Sequence, residues 1–232
     1  MQRICGILLA AGLASSATAT VINVDNSTAP WLAFMNVFEL PENGGGFVFA
    51  SPWGVADLNS SFDDGAPSIT MSPNTVGDPN EFWYQGGRPG EDPGDPNDNG
   101  GPGAPGNKSM EANLYQELTG PLAGQTVTFQ GIVLSNTFTA AHNAQIFVRD
   151  FAPDYSSVVE IFIPATPGAF SVSLNTINDP ARHVQWGFQV KGVNVWATDV
   201  APFGSVVFAP VPAPASVALL GLGGLVATRR RR

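Results

Sequence analysis

Val184-Gln185-Trp186-Gly187-Phe188-Gln189-Val190 is apolar at every second residue, with glutamine or glycine between. An extended chain points successive side chains to opposite faces, so this stretch offers Val184, Trp186, Phe188 and Val190 to a core and its alternates to the other side. It predicts a half-buried β-strand. The same period of two recurs upstream: Phe170, Val172 and Leu174 alternate with Ala169, Ser171 and Ser173, and Val127 and Phe129 with Thr126, Thr128 and Gln130. Apolar runs at 31–38, 144–151, 158–163 and 193–196 have strand length and strand composition. Prolines and glycines interrupt almost every segment long enough for a helix. Ser109 to Leu118 is the exception, since Met110, Leu114, Tyr115 and Leu118 would share a helical face, but strand is favoured there too.

Roughly ten short strands separated by turns predict an all-β, antiparallel β-sandwich over residues 20–210. Within it, 86–107 has Ala104 as its only apolar side chain and reads as a long exposed Gly/Pro/Asp loop, in part disordered. No internal repeat is evident.

Charge narrows the function. All nineteen Asp and Glu lie between residues 25 and 199, where only Arg88, Lys108, Arg149, Arg182 and Lys191 oppose them, leaving −14. A nucleic-acid partner needs a basic footprint, and that class is excluded. Cys5 is the one cysteine and precedes the domain, so no disulfide is expected. His142 and His183 stand alone without metal-ligand spacing or a nucleophile motif beside them.

The termini read as processing segments. Arg3, the apolar run Ile4 to Ala14 and Ala17-Thr18-Ala19 form a signal peptide over 1–19 with cleavage after Ala19 and a helical apolar region. Residues 211–232 begin Val211-Pro212-Ala213-Pro214, continue through fourteen uncharged residues (215–228) and end on Arg229, Arg230, Arg231 and Arg232. A helix over 215–228 would span roughly 21 Å, short of a bilayer core, with arginines to hold its cytoplasmic end. This order of spacer, short apolar helix and basic cluster resembles the PEP-CTERM sorting signal, although Ala213 stands where that family usually has glutamate. The resemblance implies an exosortase-like membrane protease as partner, transient membrane insertion through 215–228, and a destination at the cell surface or outside it.

A second resemblance lies in the domain. Leu122 to Leu134, a turn with Gly124 feeding an alternating Thr/Val/Phe strand, is similar to the central strand of carbohydrate-binding, galactose-binding-like jelly-roll modules, and 184–190 to their closing strand. This implies a jelly roll and an extracellular polysaccharide as ligand. A sugar ring stacks its C–H face on an aromatic plane, and the chain offers Trp31, Trp53, Trp83, Trp186, Trp196, Tyr84, Tyr115 and Tyr155. Trp83 and Tyr84 beside the long loop, and Gln185, Trp186 and Gln189, combine aromatics with amides and are the candidate binding residues. Asp95, Asn97 and Asn99, followed by Gly100, repeat the first half of a calcium loop that lacks its closing glutamate; Asp57, Asp63 and Asp64 are further oxygen donors for a structural calcium. A non-enzymatic structural or adhesive protein of the cell surface or matrix is the expectation, with polysaccharide binding as its narrower form, and a secreted polysaccharide hydrolase, which needs two carboxylates flanking a cleft, is the alternative.

Overall fold

Alternation along each strand is realised as two stacked layers. The computed structural model describes residues 19–85 and 99–212; the leader before Ala19, Asp95 and Asn97, and the tail from Ala213, including 215–228 and Arg229 to Arg232, lie outside them. The described residues contain twelve strands: β1 (Ala19–Asn23), β2 (Leu32–Glu39), β3 (Phe47–Trp53), β4 (Ser60–Asp63), β5 (Ser68–Met71), β6 (Lys108–Thr119), β7 (Thr126–Asn136), β8 (His142–Phe151), β9 (Val158–Pro164), β10 (Gly168–Asn175), β11 (His183–Val193) and β12 (Val206–Ala209). Among these residues no helix is long and apolar enough to cross a membrane.

The strands form a β-sandwich of two six-stranded sheets. One runs β3-β2-β6-β11-β8-β9; in the other, β7 is flanked by β10 on one side and by β1 and β12 on the other, with β5 and β4 continuing beyond β12. From β6 onward the chain crosses repeatedly between layers, β6, β8, β9 and β11 in the first and β7, β10 and β12 in the second, which is the jelly-roll wrap. Pairing is antiparallel except at β1, which runs parallel to β7 from Ala19 opposite Thr126 to Asn23 opposite Gln130. β12 takes the next stretch of that same edge, Ala209 opposite Ile132 to Val206 opposite Asn136.

Ser109 to Leu118 is strand, as favoured: β6 pairs with both β2 and β11, and the pleat sends Met110, Ala112 and Leu114 inward. The run 193–196 differs from expectation. β11 ends at Val193, and a corner follows in which the Asn194 side-chain oxygen accepts from the amides of Asn107 (3.1 Å) and Lys108 (2.9 Å).

The core lies between the sheets around Phe188. Its ring stacks on Phe208 at 3.8 Å and meets Phe129 at 5.4 Å and Trp31 at 6.2 Å, joining β11 to the opposite layer. Emptying such an aromatic site costs about 3–5 kcal/mol. At one end a buried ion pair closes the sandwich: the Arg182 guanidinium donates to an Asp150 carboxylate oxygen at 2.8 Å and to the Asp150 carbonyl at 2.7 Å. The other Asp150 oxygen accepts from the Ile177 amide at 2.7 Å, so the buried carboxylate is both paired and hydrogen-bonded.

The expectation of an exposed loop through 86–107 is corrected where the loop is described. Asn99, Gly100, Gly101 and Ala104 are buried. Backbone bonds hold this stretch in place of apolar side chains, Gly100 N–H to the Pro79 carbonyl at 2.7 Å and Gly103 N–H to the Asp199 carboxylate at 2.6 Å. Close approach does the rest: a Cβ on Gly106 would stand 1.9 Å from the Asn194 carbonyl oxygen.

Candidate functional site

The outward face of the β3-β2-β6-β11-β8-β9 sheet is where polar and aromatic side chains converge. Because core residues occupy alternate positions, their neighbours in register form rungs across this face. Glu117, Gln185, Arg149 and Glu160 make one rung; Leu32, Tyr115, Gly187, Phe147 and Phe162 the next; Phe34, Asn113, Gln189 and Gln145 a third; Asn36, Glu111, Lys191 and Asn143 a fourth. Some members of these rungs, Asn113, Tyr115, Glu117, Arg149 and Gln185 among them, floor a groove of about 710 Å³, walled by Pro52 on one side and by Phe151, Tyr155 and Val158 on the other. That is the size of a small-ligand cleft.

The floor is polar yet sheltered. Asn113 is 1% exposed, Gln185 5% and Arg149 9%, with Gln189 beside them at 4%. Buried polar groups of this kind are retained only when partnered. The Asn113 side-chain oxygen accepts from Arg149 Nη1 and from Gln189 Nε2, each at 3.0 Å, and its amide nitrogen donates to the Phe34 and Glu111 carbonyls. The Arg149 guanidinium lies over Phe147 at 4.1 Å and Phe162 at 4.8 Å, and its Nε donates to Glu160 at 3.1 Å. Burial pulls its proton affinity down, and the Glu160 and Glu111 carboxylates oppose that, so it stays a cation.

Tyr115 and Tyr155 supply the aromatic planes. Tyr115 reaches the floor because Gly187 stands beside it: a Cβ there would lie 2.7 Å from Tyr115 Cα and 2.9 Å from its Cβ. Tyr155 sits in a tight turn with φ +58°, a left-handed conformation that a tyrosine seldom adopts. Three contacts hold it there: its ring stacks on His183 at 4.5 Å, nearly parallel, and its hydroxyl lies 3.1 and 3.2 Å from the two Glu117 oxygens. Burial, then the Glu117 carboxylate, push the Tyr155 hydroxyl up to about 12. Burial and Glu117 also raise Tyr115.

The candidates drawn from sequence are therefore divided. Gln185 lines this groove, whereas Gln189 shares its sheet face and bonds Asn113 but does not line it. Trp186, between them, points into the core and is 4% exposed. Trp83 is half-buried at the end of the sandwich, edge-on to Phe82 at 4.8 Å. Tyr84 is 1% exposed, its hydroxyl donating to the Val76 carbonyl and lying 3.2 Å from that of Val195, so its faces are packed away from solvent. Sequence reasoning named Tyr115 and Tyr155 only as members of the aromatic set, and passed over Asn113, Glu117, Arg149 and Glu160. The available signal was the period of two in Glu111, Asn113, Tyr115 and Glu117, which marks one face once 109–118 is strand.

Of the metal candidates, Asn99 is buried, Asp57 and Asp63 serve local turns, and Asp64 ties its loop to Ser27. Asp57 accepts from the Gly54 amide at 3.0 Å, Asp63 from Gly65 at 2.9 Å and Ala66 at 3.0 Å, and Asp64 from Ser27. Among the described residues no cluster of three or more His, Cys, Asp or Glu is placed to hold a metal. Ala19 opens β1, and Pro212 is exposed at the end of the described chain.

No protein-family model and no curated protein matches the chain. Solved structures with a similar layout include a mutant Xylanase10C from Cellvibrio japonicus in complex with xylopentaose, 16% identical, TM-score 0.38, matched over 82% of this chain but only 27% of that one. Another is TmCBM61 in complex with β-1,4-galactotriose, 11% identical, TM-score 0.32, over 78% of this chain and 85% of the other. A third is a carbohydrate-binding module of the β-sandwich superfamily, 14% identical, TM-score 0.31, over 78% and 72%. At these scores the three share the two-sheet layout only loosely.

Proposed function

We propose that this protein is exported and non-enzymatic, and that it binds extracellular polysaccharide in the groove floored by Asn113, Tyr115, Glu117 and Gln185. The observation that carries the reading is a solvent-facing sheet surface that keeps amides, a guanidinium and carboxylates fixed and sheltered between aromatic rings. A purely structural face has no need of such an array, whereas a ligand made of C–H faces and hydroxyls uses both halves of it. Each carboxylate is already engaged, Glu111 with Lys191 at 2.6 Å, Glu160 with Arg149, and Glu117 with Tyr155 and Gln185, which favours binding over turnover. The leader, the short apolar tail and its arginines support delivery to the cell surface or matrix by an exosortase-like protease.

A glycan array probed with the full chain tests the binding: retention of at least one oligosaccharide family, without release of reducing ends, is the expected result. Release of reducing ends that disappears on substituting Glu111 or Glu117 would establish a hydrolase instead. Mass spectrometry of secreted material should find Thr20 at the N-terminus and no peptide from Leu219 to Arg232. Recovery of the intact tail would overturn the sorting.

A further inference from the structure

The hydrogen-bonding groups that remain open in the groove are of one kind. Both cations are taken: Lys191 Nζ is 2.6 Å from Glu111 and Arg149 Nε is 3.1 Å from Glu160. Gln185, which lines the groove, turns its amide nitrogen to Glu117 at 2.7 Å and so presents a carbonyl oxygen that has no partner among the described residues. Glu117 differs from the other two carboxylates. Among the described residues it is held only by neutral donors, the Tyr155 hydroxyl and the Gln185 amide, and the nearest titratable nitrogen is His183 Nδ1 at 3.7 Å. His183 already has other contacts, Nδ1 to the Thr119 hydroxyl at 2.7 Å and Nε2 to the Pro153 carbonyl at 3.2 Å. The groove therefore combines one uncompensated negative charge with an open acceptor oxygen. A sugar that brings hydroxyl donors satisfies these groups, whereas one that brings carboxylates or sulfates places like charges together in a sheltered site, which costs several kcal/mol across an interface.

We infer that the groove selects uncharged glycans and rejects polyuronates and sulfated chains, with Glu117 as the specificity-determining residue. The inference rests on the groove being the glycan site. Glu117 acts by charge and acceptor geometry, and Tyr155 is a positioning residue that fixes the carboxylate.

The test uses the full chain on an array carrying neutral hexasaccharides of glucose, galactose, mannose and xylose beside hexagalacturonate, hexamannuronate and a sulfated galactan hexasaccharide. The intact protein is expected to retain a neutral member and none of the anionic ones. Glu117→Gln, which keeps the shape, should raise the anionic-to-neutral ratio by about tenfold or more. In 1 M salt, where the Debye length falls to roughly 3 Å, the intact protein's rejection of hexagalacturonate should relax. Tyr155→Phe, which removes a hydroxyl but no charge, should weaken neutral binding and leave the ratio unmoved. Retention of anionic and neutral chains alike by the intact protein, or an unchanged ratio in Glu117→Gln, overturns the inference while leaving the glycan site standing. No retention of any member by the folded protein overturns the glycan site itself.

Discussion

The two sheets turn very different outer faces to solvent. Across β1, β7 and β10 the outward side chains are uncharged, Val21 and Leu134 exposed among them, and the polar ones pair across strands: Thr126 with Asn175 at 2.7 Å, Thr128 with Ser173 at 2.8 Å and Gln130 with Asn23 at 2.7 Å. Each such pair is solvated, and losing one member exposes nothing that water cannot satisfy. Across β6, β11 and β8 the outward side chains mix amides, charges and aromatic rings, and many are sheltered and lean on one another. One sheet has a plain surface and the other carries the candidate site. Equal alternation yields both, because the period of two fixes which side a residue faces and is silent on what it meets there.

The sharpest way to break this contrast is to remove one group from each face. Arg149→Ala strips Asn113 and Glu160 of a charged donor and two phenyl rings of their cover, and should lower unfolding free energy by roughly 2–3 kcal/mol. Thr128→Ala on the opposite sheet should stay within about 0.5 kcal/mol. Urea titration of both variants measures the gap, and equal losses would erase the distinction. A smaller effect is expected in binding. Tyr115→Ala should weaken glycan retention by about tenfold or more through loss of a stacking plane, and Thr128→Ala should leave it unchanged.

Acid provides a third comparison, because the susceptible group belongs to neither face. His142 points inward at the start of β8, its Nε2–H donating to the Val193 carbonyl at 2.9 Å while Nδ1 has no partner among the described residues. Burial lowers its pKa from the ordinary 6.5, so the fold holds the neutral ring. The folded chain then binds fewer protons than the unfolded one. Stability is complete above pH 6.5 and declines as pH falls from there toward the depressed value. Replacing His142 by Phe should flatten that decline, and an undiminished pH dependence would place its origin elsewhere. The smallest effect is spectroscopic. All three tyrosines are raised, two of them on the groove face, so ultraviolet titration should show no tyrosinate below about pH 10.

The sandwich was legible because burial follows alternation. Val184, Trp186, Phe188 and Val190 all face inward, and the strands at β2, β7, β8, β9 and β10 lie where periodicity or apolar runs placed them. The site was legible only in part. Gln185, and Gln189 beyond it on the same face, were found because they alternate with unmistakable core residues. Glu117, Arg149 and Asn113 come from two other strands, and only sheet order makes them neighbours, which no local pattern encodes. Tyr84 misled for a related reason: an aromatic beside a glycine-rich loop looks exposed until the far end of that loop folds back over it. Parallel pairing at β1 was equally hidden, since the five residues from Ala19 to Asn23 carry no direction in their composition.

That first strand has a consequence for how the molecule is made. Its Thr20 hydroxyl reaches a side chain 105 residues further along, and alternate β1 side chains remain exposed. Little apolar burial anchors it, and it cannot dock until β7 has been synthesised and laid down, so it joins late among the long-range contacts. Until then half an edge of β7 stands open with its amides and carbonyls unmatched, a template that the same segment of another copy fits as well. Exchange of this strand between molecules is thus a route by which the fold would dimerise, and a synthetic Thr20–Asn23 peptide supplied in excess is the natural competitor for it.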